Sequence, residues 1–174
     1  MTSQPSKDPP LVTAKGEPLV PLPAGINFRP AITHLDARGS VCEMLDPRWQ
    51  WHPDPLVFVY MFTLRPGMGK GCGLHKKHED RYFVLAGEME IVFFDTRPGS
   101  PTVNQVSNFV LSEYNRGLLN IPAGIWHANR NLGEKDVICV NFPTQPYQHD
   151  DPDKYRLPLD TDQIPYKFEN LSGW

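Results

Sequence analysis

Between about residue 31 and residue 143 the chain alternates short apolar runs with Gly, Pro, Asn and Asp. That pattern predicts strands at Ala31–Leu35, Ser40–Leu45, Val57–Leu64, Gly73–Lys77, Arg81–Ala86, Glu88–Phe94, Ser107–Leu111, Leu118–Ile121, Trp126–Asn129 and Val137–Asn141. The run "EMEIVFFD" shows the two-residue period: Met89, Ile91 and Phe93 share one face, and Glu88, Glu90, Val92 and Phe94 the other. A second face that is polar at one end predicts a barrel-wall strand whose polar end lies near the mouth. No stretch in this region carries a helical stripe over about ten residues. Many short strands with regular turns predict an all-β sandwich or barrel.

The flanks differ in texture. Of 19 prolines, seven fall in residues 1–30. Proline fixes φ and lacks an amide donor, so this stretch suits neither a central strand nor a long helix. Residues 1–28 are therefore expected as an extended arm, residues 29–143 as the barrel, and residues 144–174 as an irregular segment packed on it. In that last segment "HDDPDK" predicts a short helix near Asp151–Tyr155, capped by Asp151 ahead of Pro152.

Composition narrows the functional classes. The chain has 174 residues, 40% hydrophobic and 21% charged, with a formal net charge of −3, as expected of one globular domain. No basic cluster with interleaved aromatics points to nucleic acid. No apolar run reaches the roughly 18 residues of a membrane span, so no membrane partner is expected. The opening "MTSQPSKDPP" lacks the apolar core of an export signal, and the expectation is a cytoplasmic protein. Three cysteines, Cys42, Cys72 and Cys139, form no CxxC pair, which argues for reduced thiols rather than a disulfide framework or a zinc–thiolate site.

The candidate chemistry lies in the histidines. In "GLLNIPAGIWHANRN", Gly117, Pro122, Gly124, His127 and Asn131 stand at spacings that resemble the second cupin motif, shortened by one residue. Pro122 and Gly124 predict a tight turn, His127 a ring aimed into the barrel with Asn129 on the same face, and Asn131 a cap at the strand end. The first cupin motif fits less well. A metal-binding cupin places two histidines two residues apart with a carboxylate beyond; here Lys77 stands where the second histidine belongs. His75 and His78 face opposite ways in a regular strand, so no cofactor is the leading expectation. A bulge at Lys77 or His78 would re-aim His78 and assemble a divalent-metal set of His75, His78, Asp80 and His127.

Four further blocks extend the resemblance across about Asp36–Phe168: "DARGSVCEM", "GLH" at Gly73–His75, "AGEMEIVFFDTRPGSPT" and "LSEYNRGLLNIPAGIWHA". In this order they resemble the dTDP-4-dehydrorhamnose 3,5-epimerase family, cupins with a jelly-roll double-stranded β-helix. The resemblance implies an isomerase that epimerises a nucleotide sugar in deoxysugar biosynthesis, by proton abstraction beside a C4 keto group. It also implies a homodimer and a small nucleotide-sugar ligand. Carried over, His75 takes the position of the catalytic base and His127 that of the second pocket histidine; Arg38 and Glu43 match substrate-contact positions. Three family residues are replaced. The arginine before Gly-Leu-His is Cys72, the lysine seven residues before the Gly-Glu turn is Asp80, and no tyrosine stands near Cys139 or Val140. Lys77 and Tyr82 are the nearby candidates for the lost lysine and tyrosine. Three readings follow: an epimerase using His75, a non-catalytic sugar-binding cupin, and a metal-dependent cupin. The aromatics Phe58, Tyr60 and Phe62 are read as barrel wall, with nucleobase stacking as the alternative.

Overall fold

The computed structural model describes residues 7, 8, 10, 12–15, 19, 22–169 and 171–173. Much of the arm expected over residues 1–28 lies outside that set. The strands are β1 Asn27–Pro30, β2 Thr33–Asp36, β3 Gly39–Cys42, β4 Tyr60–Leu64, β5 Met68–Leu74, β6 Asp80–Ala86, β7 Glu88–Asp95, β8 Val106–Ser112, β9 Gly117–Ile121, β10 Ile125–Asn131, β11 Val137–Asn141, β12 Tyr155–Arg156 and β13 Ser172–Gly173. A single 3-10 turn, Pro47–Trp49, is the one helical element among the described residues. No described helix is long and apolar enough to cross a membrane.

Two sheets make the jelly roll. One has the order β1-β9-β6-β11-β4; the other has the order β12-β5-β10-β7-β8, with β13 also on β5. Strand alternation fills the space between them: Leu64, Tyr82, Val84 and Cys139 of the first sheet meet Met89, Ile91, Phe93, Leu111 and Ile125 of the second. The other face of β7 and β10 is buried too. Phe94 and Ala128 pack with Cys72 under Ile164, Leu157, Tyr166 and Phe168 of the C-terminal segment. Glu90 consequently lies under that segment, paired with Arg130 at 2.6 Å, and not at a barrel mouth as the strand pattern predicts. Trp126, partly buried, packs against the same cluster.

The expected helix at Asp151–Tyr155 is absent. The chain there is extended: β12 pairs antiparallel with β5, Tyr155 opposite Leu74 and Arg156 opposite Gly73. Pairing with an open sheet edge satisfies the backbone amides that a short helix would otherwise satisfy.

The turn at Pro122–Gly124 forms as its residues predict. Gly124 has φ +83°, and its amide donates to the His75 carbonyl at 2.7 Å, fastening the turn to the end of β5. Asn131 closes the other end of β10. Its Nδ2 donates to the carbonyls of Leu64 (2.9 Å) and Lys135 (2.7 Å), and its Oδ1 accepts from the Gly133 amide (2.8 Å). Asn131→Ala strands three backbone groups at a buried position. It should lower unfolding free energy by about 2–4 kcal/mol in urea titrations, because each orphaned buried group costs about 1–3 kcal/mol; a loss below about 0.5 kcal/mol, the scale of a surface substitution, would refute this capping role.

Candidate active site

β5 ends at Leu74, and residues 75–79 form a loop before β6 begins at Asp80. The expected strand to Lys77 would send His75 and His78 to opposite faces. In the loop the chain turns, and the two rings instead stack at 4.1 Å between centroids. The loop is held by a distant carboxylate. Asp153 accepts from the Lys76 amide (3.0 Å) and the Lys77 amide (2.7 Å), and its Oδ2 lies 3.0 Å from His78 Nδ1. This is the role that "HDDPDK" plays in place of helix capping.

Asp80 is the centre of the site. It is 1% exposed at the start of β6. His75 Nε2 approaches its Oδ2 at 3.2 Å, His127 Nε2 the same oxygen at 3.5 Å, and His78 Nε2 its Oδ1 at 3.9 Å. The Tyr82 hydroxyl donates to Oδ2 at 3.2 Å, and Asn141 Nδ2 donates to Oδ1 at 2.7 Å. The three Nδ1 atoms face oxygen acceptors as well: the Asp153 carbonyl for His75 (2.5 Å), Asp153 Oδ2 for His78, and the Ile125 carbonyl for His127 (3.2 Å). A carbonyl can only accept, so His75 and His127 carry a proton on Nδ1. Every Nε2 is thereby aimed inward.

The charges follow from this packing. Burial would raise the Asp80 carboxyl, but the hydrogen bonds and charge of His127 and His75 outweigh it and hold Asp80 well below the usual carboxylate range. Burial opposes charge on His75, yet the Asp80 hydrogen bond and charge, with help from Asp153, raise its pKa above the ordinary histidine value of 6.5. His78 is shifted down, by burial first and by His75 second. Burial, and then the Asp80 charge, keep the Tyr82 phenol protonated far above its ordinary range.

Two clefts meet at this cluster. The outer one, about 230 Å³, is walled by Phe58, Tyr60, Tyr147, His75, His78 and Lys77, among others. The inner cavity, about 80 Å³, is walled by Tyr60, Phe62, Lys70, Tyr82, His127 and Asn129, with Lys154 and Arg156 at its side. The structure thus gathers His75, Tyr82, His127 and Asn129 at one site and puts Lys77 on its outer rim, where it reaches Asp151 at 3.6 Å. Arg38 and Glu43 are not brought there. Arg38 sits in the β2–β3 turn, pairs with Asp36 and is 91% exposed; Glu43 follows β3 and is exposed. Phe58 and Tyr60 face the outer cleft, so the aromatic run serves as cleft lining as well as wall. Lys70, Asn141, Asp153, Lys154 and Arg156 did not stand out in the sequence. The cluster of acids and bases in "HDDPDK" is a signal for Asp153 and Lys154 alone.

His75, His78 and Asp80 each offer a ligand atom within 4.8 Å of the others, and His127 Nε2 faces the same carboxylate. This donor set fits a divalent cation. Three imidazoles present Nε2 while their Nδ1 atoms are held by oxygen acceptors, as metal-ligating histidines are.

The family model of the polysaccharide biosynthesis C-terminal domain matches residues 34–155. The probable low-salt glycan biosynthesis epimerase Agl13 of Haloferax volcanii is 31% identical over 137 residues, covering 78% of this chain and 87% of that protein. The spore coat polysaccharide biosynthesis protein SpsL of Bacillus subtilis is 30% identical over 146 residues, covering 83% and 95%. Among solved structures, a dTDP sugar isomerase from Desulfovibrio desulfuricans superposes with a TM-score of 0.78 at 22% identity, over 83% of this chain and 91% of that one.

His75 and His78 make the stability of the chelator-treated protein depend on pH in opposite senses. The raised His75 contributes stability that is complete below pH 6.5 and lost as pH rises through its folded pKa. The depressed His78 contributes nothing above 6.5 and lowers stability as pH falls through its own folded pKa. Urea denaturation should therefore show these two groups placing a maximum near pH 6.5. Asp80→Asn should remove the decline on the alkaline side; an unchanged alkaline slope in that variant would contradict the pairing.

Its sequence, its fold and its relatives agree: the chain belongs to the polysaccharide biosynthesis C-terminal domain family and has the jelly-roll fold of the dTDP-4-dehydrorhamnose 3,5-epimerases.

Proposed function

We propose that this protein is a nucleotide-sugar epimerase that moves a proton at a carbon next to a C4 keto group. The observation that carries this reading is the placement of His75. Its ring stands where the two clefts meet, with Nδ1 tied to the Asp153 carbonyl and Nε2 beside the Asp80 carboxylate at 3.2 Å. The relatives supply the substrate class: one is named as a glycan epimerase, and a structural neighbour as a dTDP sugar isomerase.

In this reading His75, once neutral, turns Nε2 from Asp80 Oδ2, 3.2 Å away, to the substrate and takes the proton from the carbon acid there. Asp80 strengthens it as a base by favouring the imidazolium that forms. The Tyr82 hydroxyl, 3.4 Å from His127 Nε2, is the protonated donor held in the same pocket. His127 and Asn129 position the sugar, and Lys77 contributes at the rim. The three thiols are free, which suits action in the reducing cytoplasm.

One observation favours a second reading of the same chemistry. At the position of the family's lysine this chain has a carboxylate, and three Nε2 atoms surround it. A divalent ion held by His75, His78, Asp80 and His127 would supply Lewis-acid stabilisation of a developing enolate oxygen. His75 would then be a ligand, and the base would have to be another group.

Incubation with a 4-keto nucleotide sugar in deuterium oxide separates these readings. Exchange beside the carbonyl is expected, and His75→Asn should slow it about 10²–10⁴-fold, the usual worth of a general base. The exchange rate should rise with pH through the raised His75 value, above 6.5. Exchange lost to a chelator and restored by a divalent metal would establish the metal reading. Intact ligand binding with no exchange under either condition would make the chain a binding module.

We infer a homodimer as the working form. The β2–β3 hairpin pairs with neither barrel sheet, and it and its approach expose Ile32, Leu35 and Val41. Arg38 and Glu43 ride on or beside this hairpin and line neither cleft of their own chain. A substrate role for them requires the site of a partner. Sedimentation should give a dimer at micromolar concentration; a monomer there would contradict both inferences.

A further inference from the structure

Three residues wall both clefts: Tyr60, His75 and Lys154. They mark the passage from one to the other. Tyr60 reaches it from β4, the edge strand of the first sheet. Asn141 stands opposite Tyr60 in the β4–β11 pair and opposite Tyr82 in the β11–β6 pair. Residues directly opposite one another share a face, so Tyr60, Asn141 and Tyr82 form a row across three strands. Phe62, on the same face of β4, meets the Tyr82 ring edge-on at 5.4 Å and stiffens that row.

The hydrogens along the row follow from donor and acceptor chemistry. Asn141 Oδ1 accepts from the Arg81 amide at 3.0 Å, and Asn141 Nδ2 donates to Asp80 Oδ1 at 2.7 Å. A backbone amide only donates and a carboxylate only accepts, so the orientation of the Asn141 side chain is fixed. Its second Nδ2 hydrogen goes to the Tyr60 oxygen at 2.9 Å. Tyr60 is therefore the acceptor in that bond, and its own proton points away from Asn141. Among the described residues no group accepts that proton. Tyr82 differs: its hydroxyl donates to Asp80 Oδ2, and it is 4% exposed, whereas Tyr60 is 39% exposed and open to both clefts. Burial, and then the Asp80 charge, push the Tyr60 phenol above its ordinary range, so it keeps its proton.

We propose that Tyr60 is a catalytic residue whose hydroxyl donates to the keto oxygen of the substrate and stabilises the enolate that forms when His75 removes the neighbouring proton. This rests on the epimerase reading, and it deepens that reading by naming the group that meets the developing negative charge. In the step, the C–H electron pair becomes the new C=C bond, the carbonyl π pair moves onto oxygen, and the proton goes to His75 Nε2. Tyr60 keeps its own proton and shares it with that oxygen. Return of a proton to the carbon restores the ketone. A donor is needed here because Asp80, held ionised, repels an enolate. Asn141 stands between the two: it satisfies Asp80 with one hydrogen and, with the other, polarises the Tyr60 hydroxyl into a stronger donor.

The test compares the full chain with its Tyr60→Phe variant, which keeps the ring and removes only the donor. A 4-keto nucleotide sugar is followed by two readouts: deuterium exchange beside the carbonyl, and the infrared frequency of the bound carbonyl, isolated with a carbon-13 label at C4. Tyr60→Phe should lower kcat for exchange about 10²–10³-fold, the worth of one oxyanion donor, with KM little changed. The bound carbonyl should absorb at a lower frequency in the parent than in the variant, because the hydrogen bond weakens the C=O bond. Exchange as fast in Tyr60→Phe as in the parent, or equal carbonyl frequencies, would overturn the proposal and leave the epimerase reading standing. A lower frequency in the parent with no exchange would uphold Tyr60 as the donor to the keto oxygen and remove the epimerase reading. Exchange that requires a divalent ion and is indifferent to Tyr60 would give the oxygen to the metal and overturn the proposal. A keto sugar that does not bind at all would overturn both.

Discussion

The site depends on one buried carboxylate. An ionised Asp80 inside a barrel is costly unless it is fully partnered, and its two oxygens receive Tyr82, Asn141 and the inward nitrogens of three histidines. Those partners come from the first sheet, from the loop after β5 and from β10. The charge therefore draws the loop and the two sheets to one point. The same charge raises His75, keeps Tyr82 protonated and holds His127 in reach, so the stability of the centre and its proton chemistry have a common origin.

The frame supplies the outer half of that arrangement. A tight turn at Gly124 bonds to the His75 carbonyl, and β12 pairs with β5 so that Asp153 arrives beside the histidine loop. The C-terminal segment is thus both a cover for the second sheet and the source of the groups that fix the Nδ1 atoms of His75 and His78. It also brings Lys154 and Arg156 to the inner cavity. A segment that reads as irregular in the sequence completes the site.

Much of the fold was legible because strand periodicity is local. The turn at Pro122–Gly124, the inward His127 and the capping Asn131 all follow from short spacings, and β11 matches its expected bounds. The errors lie where a distant partner overrides the local pattern. A regular strand to Lys77 puts His78 on the face opposite His75 and only an irregularity there re-aims it; the irregularity comes from Asp153, 75 residues beyond His78, which binds the amides of Lys76 and Lys77. Asp151–Tyr155 looked like a capped helix because Asp before Pro is a local signal, and the open edge of β5 is not. Arg38 and Glu43 rest on likeness of sequence alone, and the hairpin holds them away from both clefts of their own chain.

Asp80 puts a negative charge at the heart of the pocket, and three imidazoles surround it. In this account their Nε2 atoms converge on Asp80 because each Nδ1 is held by an oxygen. The most direct test is a nitrogen-15 spectrum of the histidine ring nitrogens in the metal-free protein, with the resonances assigned by substituting each histidine in turn. The account predicts protonated Nδ1 on His75 and His127, and a second proton on His75 Nε2 that is lost only above pH 6.5. Nε2-protonated neutral rings at His75 and His127 would contradict it.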